Sequence, residues 1–154
     1  MKLCSDLLKA LEGKTLATAE SLTGGGIGAA ITAVAGASRV FKGGIISYTN
    51  WVKHNLLGVP LELLDAVGAV SAPVAEAMAR GVRENLHSDV AVSVTGLAGP
   101  GGDEHGNPVG TVFVGYADAK KVVSRHYVFD GNREAVRLQA AKAALKLILE
   151  EYDG

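Results

Sequence analysis

Hydrophobic residues recur along this chain with two spacings, one typical of helices and one typical of strands. Three leucines spaced for one helix face lie within residues 5–11, and Gly13 ends the helix that they predict. Residues 14–18 are partly β-branched and predict a first strand. The small, uncharged run over residues 27–35 then predicts a buried helix. The chain therefore opens with the helix–strand–helix order from which parallel sheets are built.

The later part of the chain continues this alternation and then changes it. Strands are predicted at residues 44–48, 89–95, 111–117 and 122–129, and helices at residues 50–57, 61–67, from Ser71 onward, and from Asn132 to about Glu150. Asn50, Ser71 and Asn132 are the predicted N-caps. The last two strands are close enough for an antiparallel hairpin. We therefore expect one domain over residues 1–154 with an α/β fold, a three-layer α/β/α sandwich around a mixed, mostly parallel central sheet.

Composition excludes several classes of protein. Of the 154 residues, 48% are hydrophobic and 20% are charged, which is too apolar for a disordered chain. The net charge is -1 with no basic stripe, so no nucleic-acid partner is expected. Early charges at Lys2 and Asp6 argue against a signal peptide, and no membrane partner is expected. Cys4 is the one cysteine, which fits a reducing cytoplasm.

The richest segment for chemistry is Thr18-Ala19-Glu20-Ser21-Leu22-Thr23-Gly24-Gly25-Gly26. It predicts a strand end, a turn bearing hydroxyls, and then the start of an apolar helix. A helix N-terminus offers unpaired N–H groups that can hold a phosphate or an oxyanion, and Ser21 lies beside it. The alternative is that Ser21 or Thr23 is only an N-cap.

A second candidate segment is Tyr48-Thr49-Asn50-Trp51-Val52-Lys53. Lys53 falls in the first turn of a predicted helix, where the helix dipole and partial burial lower a lysine pKa. A neutral lysine can accept the Ser21 proton, and Tyr48 can relay that proton or fix the lysine. The alternative is a solvated surface lysine beside a tyrosine at the sheet edge.

A third candidate segment is the glycine-rich loop over residues 95–102, after a strand that reads as central. Its backbone N–H groups suit an anionic ligand, whereas the alternative is a flexible connection. The loops after the first three strands share one sheet edge if those strands run parallel. The sequence therefore predicts a single cleft there.

Cofactor and metal sites have weaker support. Gly24-x-Gly26-x-x-Ala29 loosely matches a dinucleotide fingerprint, but the acid expected at the next strand end is missing. The four histidines are scattered without the spacing of metal ligands. We therefore expect neither a metal nor an organic cofactor.

Five motifs in sequence order resemble the CinA C-terminal domain family. They are Thr18–Gly25, Tyr48–Lys53, Gly68–Ser71, Thr95–Pro100 and Pro108–Thr111. The resemblance extends from about Leu7 to Leu149. Other members of the family are fused to an N-terminal molybdopterin-binding-like domain, and this chain resembles the stand-alone form. Trp51 and Val52 depart mildly from the family pattern.

The resemblance implies a nicotinamide-nucleotide amidohydrolase that converts nicotinamide mononucleotide to nicotinate mononucleotide and ammonia. It implies Ser21 as nucleophile, Lys53 as its base and Tyr48 as a partner in the same hydrogen-bond set. The substrate-binding candidates are Thr23, Gly24, Gly25, Thr95, Gly96, Gly99, Arg133 and Arg137, with the choice between the two arginines left open. The N–H groups of the turn over residues 21–25 are expected to hold the oxyanion.

The resemblance also implies a homodimer or higher homo-oligomer that acts on a small-molecule pyridine nucleotide. Two alternatives stay open at this stage. One is a non-catalytic nucleotide-binding or regulatory module, and the other is an amidase for another pyridine or nucleoside carboxamide.

Overall fold

A computed structural model describes residues 2–154 of the chain. Within these residues it contains six α-helices, five strands and one short 3-10 turn. In chain order these are α1 Lys2–Ala10, β1 Leu16–Glu20, α2 Gly26–Thr32, the 3-10 turn Ala37–Arg39, β2 Phe41–Ile46, α3 Asn50–Leu57, α4 Leu61–Val67, α5 Ala72–Leu86, β3 Val90–Gly96, β4 Thr111–Ala117, β5 Val122–Val128 and α6 Arg133–Glu151.

The strands form one sheet in the order β2-β1-β3-β4-β5. β1 pairs in parallel with both β2 and β3, whereas β4 is antiparallel to β3 and to β5. Glu20 at the end of β1 is level with Ile46 on β2 and with Val94 on β3. The carboxyl ends of these three strands therefore lie at one sheet edge, and the loops that follow them converge as expected.

Helices cover both faces of the sheet, which gives the expected three-layer α/β/α arrangement. One face packs against α1, α2 and α6, and its core includes Leu7, Ile31, Val92 and Ile148. The other face packs against α3, α4 and α5, with its core around Met78. None of the helices in residues 2–154 has the length and apolarity needed to cross a membrane.

The observed strand boundaries differ from the predicted ones near the candidate chemistry. β1 is displaced two residues toward the C-terminus relative to the prediction and ends at Glu20 rather than at Thr18. Sequence patterning discounts a charged residue in a strand, but this carboxylate is buried with its own hydrogen-bond partners. β2 begins earlier, at Phe41, which pairs with Leu16 at the start of β1; the register then shifts by one residue and continues from Gly43 to Ile46. Ser21 therefore leaves the sheet directly and not after an intervening loop.

Gly81 in α5 determines how closely α3 approaches α5. A Cβ at this position would overlap the carbonyl oxygen of Leu57, the last residue of α3. Because backbone cannot move aside as a flexible side chain can, the close approach requires glycine. Lys53 is carried by α3, so this contact also helps to fix the position of the candidate base.

We expect Gly81→Ala to lower the free energy of unfolding by about 1–3 kcal/mol through overpacking, although alanine is the better helix former by about 1 kcal/mol. Urea unfolding followed by circular dichroism measures the change. Gly26→Ala is the matched control, because a Cβ at Gly26 would meet only Thr23 Cβ at 3.8 Å. The control should be neutral or slightly stabilising, and equal stability of both variants would contradict the argument.

Candidate active site

A cleft of about 310 Å³ opens where β1, β2 and β3 end. Its walls are the loops that follow these strands, the start of α3, the segment just before α5 and the start of α6. The candidate residues that line it are Ser21, Tyr48, Lys53, Thr95, Gly96, Gly99 and Arg133. Residues that are far apart in sequence therefore share one pocket of the size typical of small-molecule sites.

Ser21 is held in place by the sheet itself. Its N–H donates to the Val94 carbonyl oxygen at 3.0 Å, which extends the pairing of β1 with β3 by one residue. The side chain is nearly buried, and its Oγ lies 3.1 Å from Lys53 Nζ. The alternative role of Ser21 or Thr23 as a helix cap is wrong, because Gly25 is the N-cap of α2 and no side chain caps it.

Lys53 reaches the serine from the first turns of α3. The N-cap of this helix is Thr49, whose Oγ1 accepts from the Val52 N–H at 3.4 Å. The predicted cap, Asn50, is instead the first helical residue. Both residue types cap helices well, so the sequence did not distinguish between them.

The Lys53 amine is enclosed by oxygen atoms that carry no formal charge. It lies 2.7 Å from the Ser47 carbonyl oxygen and 3.5 Å from that of Tyr48, in addition to its contact with Ser21. The residue is 1% exposed, and burial lowers the lysine pKa from 10.5 to about 8. Sequence reasoning anticipated a lowered pKa from the helix dipole and partial burial, whereas nearly complete burial is the cause in the structure.

Glu20 is a buried residue of this region to which sequence reasoning gave no role. Its carboxylate accepts from Thr23 Oγ1 at 2.6 Å, from the Ile27 N–H at 2.8 Å and from the Gly28 N–H at 3.0 Å. The prediction of an open α2 N-terminus for a phosphate or oxyanion is therefore wrong, because the protein's own carboxylate occupies it. The signal available in the sequence was an acidic residue at the end of an otherwise apolar strand, directly before a glycine turn and an uncharged helix.

The loop after β3 contributes its main chain to the cleft. The Thr95 hydroxyl is turned to the Ala69 carbonyl oxygen, to which it donates at 2.9 Å. The Leu97 N–H donates to the Thr111 carbonyl oxygen at 2.9 Å, which ties the loop to β4. Gly99 has a φ of 97°, a conformation that favours glycine. These bonds argue against the alternative of a flexible connection.

Arg133 and Tyr48 meet on the solvent side of the cleft. Arg133 Nη1 donates to the Gly99 carbonyl oxygen at 2.7 Å, and Nη2 donates to the Tyr48 hydroxyl at 3.4 Å. The arginine thus bridges the loops that follow β2 and β3. Tyr48 was expected to share a hydrogen-bond set with Lys53, but Lys53 contacts the carbonyl oxygen of Tyr48 while the phenol contacts Arg133.

Arg137 lies one helical turn beyond Arg133 but outside the cleft. Its Nε donates to the Leu22 carbonyl oxygen at 2.9 Å and its Nη2 to that of Thr23 at 3.2 Å. It lines a second, largely apolar cavity of about 420 Å³ between α1, α2 and α6, together with Thr23. The structure thus separates the two arginines that the sequence left equivalent.

The remaining predicted glycines belong to the turn that links Ser21 to α2. Gly24 and Gly25 have φ values of 59° and 105° and line neither the cleft nor the second cavity. Their contribution is the shape of the turn, because L-residues with a side chain rarely adopt such angles.

The arrangement brings a hydroxyl and a buried amine into contact within a pocket. An amine with a lowered pKa can take a proton from a hydroxyl at this distance, which is the requirement for an activated serine nucleophile. Within residues 2–154, no group of three or more histidine, cysteine or acidic side chains is arranged to hold a metal ion.

Comparison with curated proteins finds close relatives of two lengths. A CinA-like protein from Geotalea daltonii is 50% identical over 139 residues, which are 90% of this chain and 34% of that protein. A protein named nicotinamide-nucleotide amidohydrolase PncC, from Pseudomonas putida, is 49% identical over 133 residues, which are 86% of this chain and 83% of that protein. The chain thus spans about a third of the CinA-like relative but most of the shorter one.

Solved structures share the fold along nearly the whole chain. The competence damage-inducible protein A of Klebsiella pneumoniae has a TM-score of 0.95 and 33% identity, covering 97% of this chain and 94% of that one. A competence/damage-inducible protein of Agrobacterium tumefaciens has a TM-score of 0.92 and 36% identity, covering 97% and 93%. The family model described as CinA C-terminal domain matches residues 1–152. The chain therefore belongs to the CinA C-terminal domain family.

Proposed function

We propose that this chain hydrolyses the carboxamide of nicotinamide mononucleotide to nicotinate mononucleotide and ammonia, with Ser21 as nucleophile and Lys53 as base. The observation that carries the proposal is the 3.1 Å separation of Ser21 Oγ and Lys53 Nζ inside a buried part of the cleft. The substrate is suggested by the relative from Pseudomonas putida whose name is nicotinamide-nucleotide amidohydrolase.

Acylation begins when the Lys53 amine takes the Ser21 proton and Oγ forms a bond to the carboxamide carbon. The carbonyl oxygen becomes an oxyanion that backbone N–H donors stabilise. Lys53, now an ammonium, returns a proton to the amide nitrogen, the C–N bond breaks and ammonia leaves. The product of this half of the reaction is an ester between Ser21 and the nicotinoyl group.

Deacylation repeats these steps with water. Lys53 takes a proton from the water molecule as the water oxygen attacks the ester carbon, and the ammonium then protonates Ser21 Oγ as the ester bond breaks. The net reaction consumes one water and releases one carboxylic acid and one ammonia. The chain's own residues supply every proton transfer in this route.

The two ends of the cleft differ in burial and charge, and this difference orients the substrate. Arg133 is exposed and lines the cleft, and its guanidinium spans two loops there. A planar guanidinium suits a phosphate, which it contacts through two parallel hydrogen bonds. We assign the phosphate of the nucleotide to Arg133 and the pyridine carboxamide to the buried end, beside Ser21.

The route requires Lys53 to be uncharged when the serine attacks. With a pKa of about 8, roughly a tenth of this amine is free at pH 7, compared with less than about a thousandth for a solvated lysine. The same burial carries a cost in stability, because the protonated form is disfavoured in the folded state. Activity and stability should therefore both depend on pH in directions that the pKa determines.

Removing the nucleophile should abolish the reaction. We expect Ser21→Ala to lower kcat for nicotinamide mononucleotide by at least about 1000-fold, since in the described part of the chain no other hydroxyl contacts the Lys53 amine. Ammonia release measures the change. Thr32→Ala, which alters a hydroxyl that bonds only within α2, is the matched control and should keep wild-type turnover. Tight nucleotide binding without ammonia from the wild type would instead support a binding module.

The pH dependence of kcat/KM should report the Lys53 amine. We expect kcat/KM to rise with pH through a midpoint near 8, because the free amine is the active form. Below the midpoint the rate should fall about tenfold per pH unit. Lys53→Arg should remove activity at every pH, because a guanidinium stays protonated. A flat profile between pH 6 and 9 would contradict the assignment of Lys53 as base.

Stability should also depend on the Lys53 amine, and like kcat/KM it should rise with pH. The unfolded lysine has a pKa near 10.5 and the folded one near 8, so the unfolded state binds more protons between these values. Relative to Lys53→Met, the wild type should lose about 3 kcal/mol of unfolding free energy as pH falls from about 10.5 to about 8. Urea unfolding at several pH values measures this. Lys9→Met, at an exposed position, is the control, and an equal pH effect in both variants would contradict the argument.

A further inference from the structure

A single side chain of α6 holds the turn that carries Ser21 through hydrogen bonds. Arg137 donates from two nitrogens of one planar guanidinium to two consecutive carbonyl oxygens, those of Leu22 and Thr23. These two residues are nearly buried, at 4% and 2% exposed. The Thr23 hydroxyl also donates to the Glu20 carboxylate at 2.6 Å. Charged side chains therefore hold both the carbonyl group and the side chain of Thr23.

The two hydrogen bonds from Arg137 determine the orientation of a peptide plane beside Ser21. The Leu22–Thr23 bond is trans, and in a trans peptide the carbonyl and the following N–H point in opposite directions. With the Leu22 carbonyl directed at Arg137, the Thr23 N–H is directed away from it. The Ser21 carbonyl accepts from the Gly24 N–H at 3.1 Å, which fixes the preceding plane and with it the Leu22 N–H.

Both of these N–H groups belong to the turn directly after Ser21. Among the hydrogen bonds of residues 2–154, neither the Leu22 N–H nor the Thr23 N–H has an acceptor. Leu22 lines the cleft beside Ser21. Two adjacent N–H donors next to a serine nucleophile have the composition of an oxyanion hole, provided that their peptide planes are held rigidly.

We propose that Arg137 is a positioning residue that orients the Leu22 and Thr23 N–H groups toward the oxyanion, and that it makes no contact with substrate. This proposal rests on the proposed function. It differs from the expectation based on sequence, in which Arg137 was a candidate contact to the substrate. Arg133, four residues earlier on the same helix, takes the substrate-contact role because it lines the cleft.

The two arginines provide a matched pair of variants. Arg137→Met should lower kcat for nicotinamide mononucleotide by about 10- to 100-fold, the effect of displacing one oxyanion donor, and leave KM within about threefold. Arg133→Met should instead raise KM about tenfold through the lost phosphate contact. With nicotinamide riboside, which has no phosphate, Arg137→Met should keep its kcat defect and Arg133→Met should have little effect.

Rescue and folding controls separate positioning from general damage. Arg137→Lys restores one donor but not the planar fork, so its kcat should lie between those of the wild type and Arg137→Met. Lys142→Met, at an exposed lysine that lines the same cavity as Arg137, should be indistinguishable from the wild type. Circular dichroism confirms folding, and the pH midpoint of kcat/KM should be the same in all active variants because Lys53 is untouched.

Two kinetic results for Arg137→Met would overturn the proposal. A rise in KM for the nucleotide but not for the riboside in Arg137→Met would make Arg137 a phosphate contact. Unchanged kcat and KM would mean that the turn does not need the guanidinium.

A second measurement does not depend on the substrate. A fluorophosphonate places its phosphoryl oxygen where the oxyanion forms, and intact mass reports its reaction with Ser21. Labelling should be about 10- to 100-fold slower in Arg137→Met, and an equal labelling rate would overturn the proposal. If the wild type does not hydrolyse nicotinamide mononucleotide, the proposed function fails while this labelling comparison still decides the role of Arg137.

Discussion

The contact between Lys53 Nζ and Ser21 Oγ is the interaction on which the rest of the site depends. It joins the end of β1 to the start of α3, and it forms where the amine is surrounded by uncharged oxygens. Burial alone lowers the pKa of this lysine, so its amine binds a proton less tightly than a solvated lysine does. The close packing of α3 on α5 at Gly81 helps to fix the helix that carries Lys53, so a helix contact remote from the cleft contributes to the position of this amine.

The turn around Ser21 shows how a small segment is made rigid without secondary structure of its own. The Val94 carbonyl holds the serine N–H, and Glu20 and Arg137 hold the residues that follow it. Glu20 also occupies the α2 N-terminus, so that helix end stabilises the protein's own carboxylate and is not free for a ligand. In the proposed mechanism the donors for the developing negative charge therefore lie in the turn, where the Leu22 and Thr23 N–H groups have no acceptor within residues 2–154.

Most of the architecture could be predicted from the sequence because hydrophobic spacing and turn residues determine it locally. α4 and β4 have their predicted bounds, and the convergence of the three loops followed from parallel strands. Burial was harder to predict, because it depends on elements remote in sequence. Nothing local distinguishes a solvated Lys53 from a buried one. Arg133 and Arg137 lie on one helix face, and only the position of that helix over the sheet edge separates a cleft residue from one that grips the turn.

The enclosure of Lys53 by uncharged oxygens has a consequence for how solution conditions act on the site. Dissolved ions weaken interactions between exposed charges over a Debye length of about 8 Å at physiological salt, but here no charged neighbour sets the proton affinity. Ionic strength should therefore leave the basicity of this amine nearly unchanged. In the proposed function, binding of the substrate phosphate by the exposed Arg133 responds to salt as exposed charges do, so salt should affect the Arg133 side of the cleft much more than the Lys53 side.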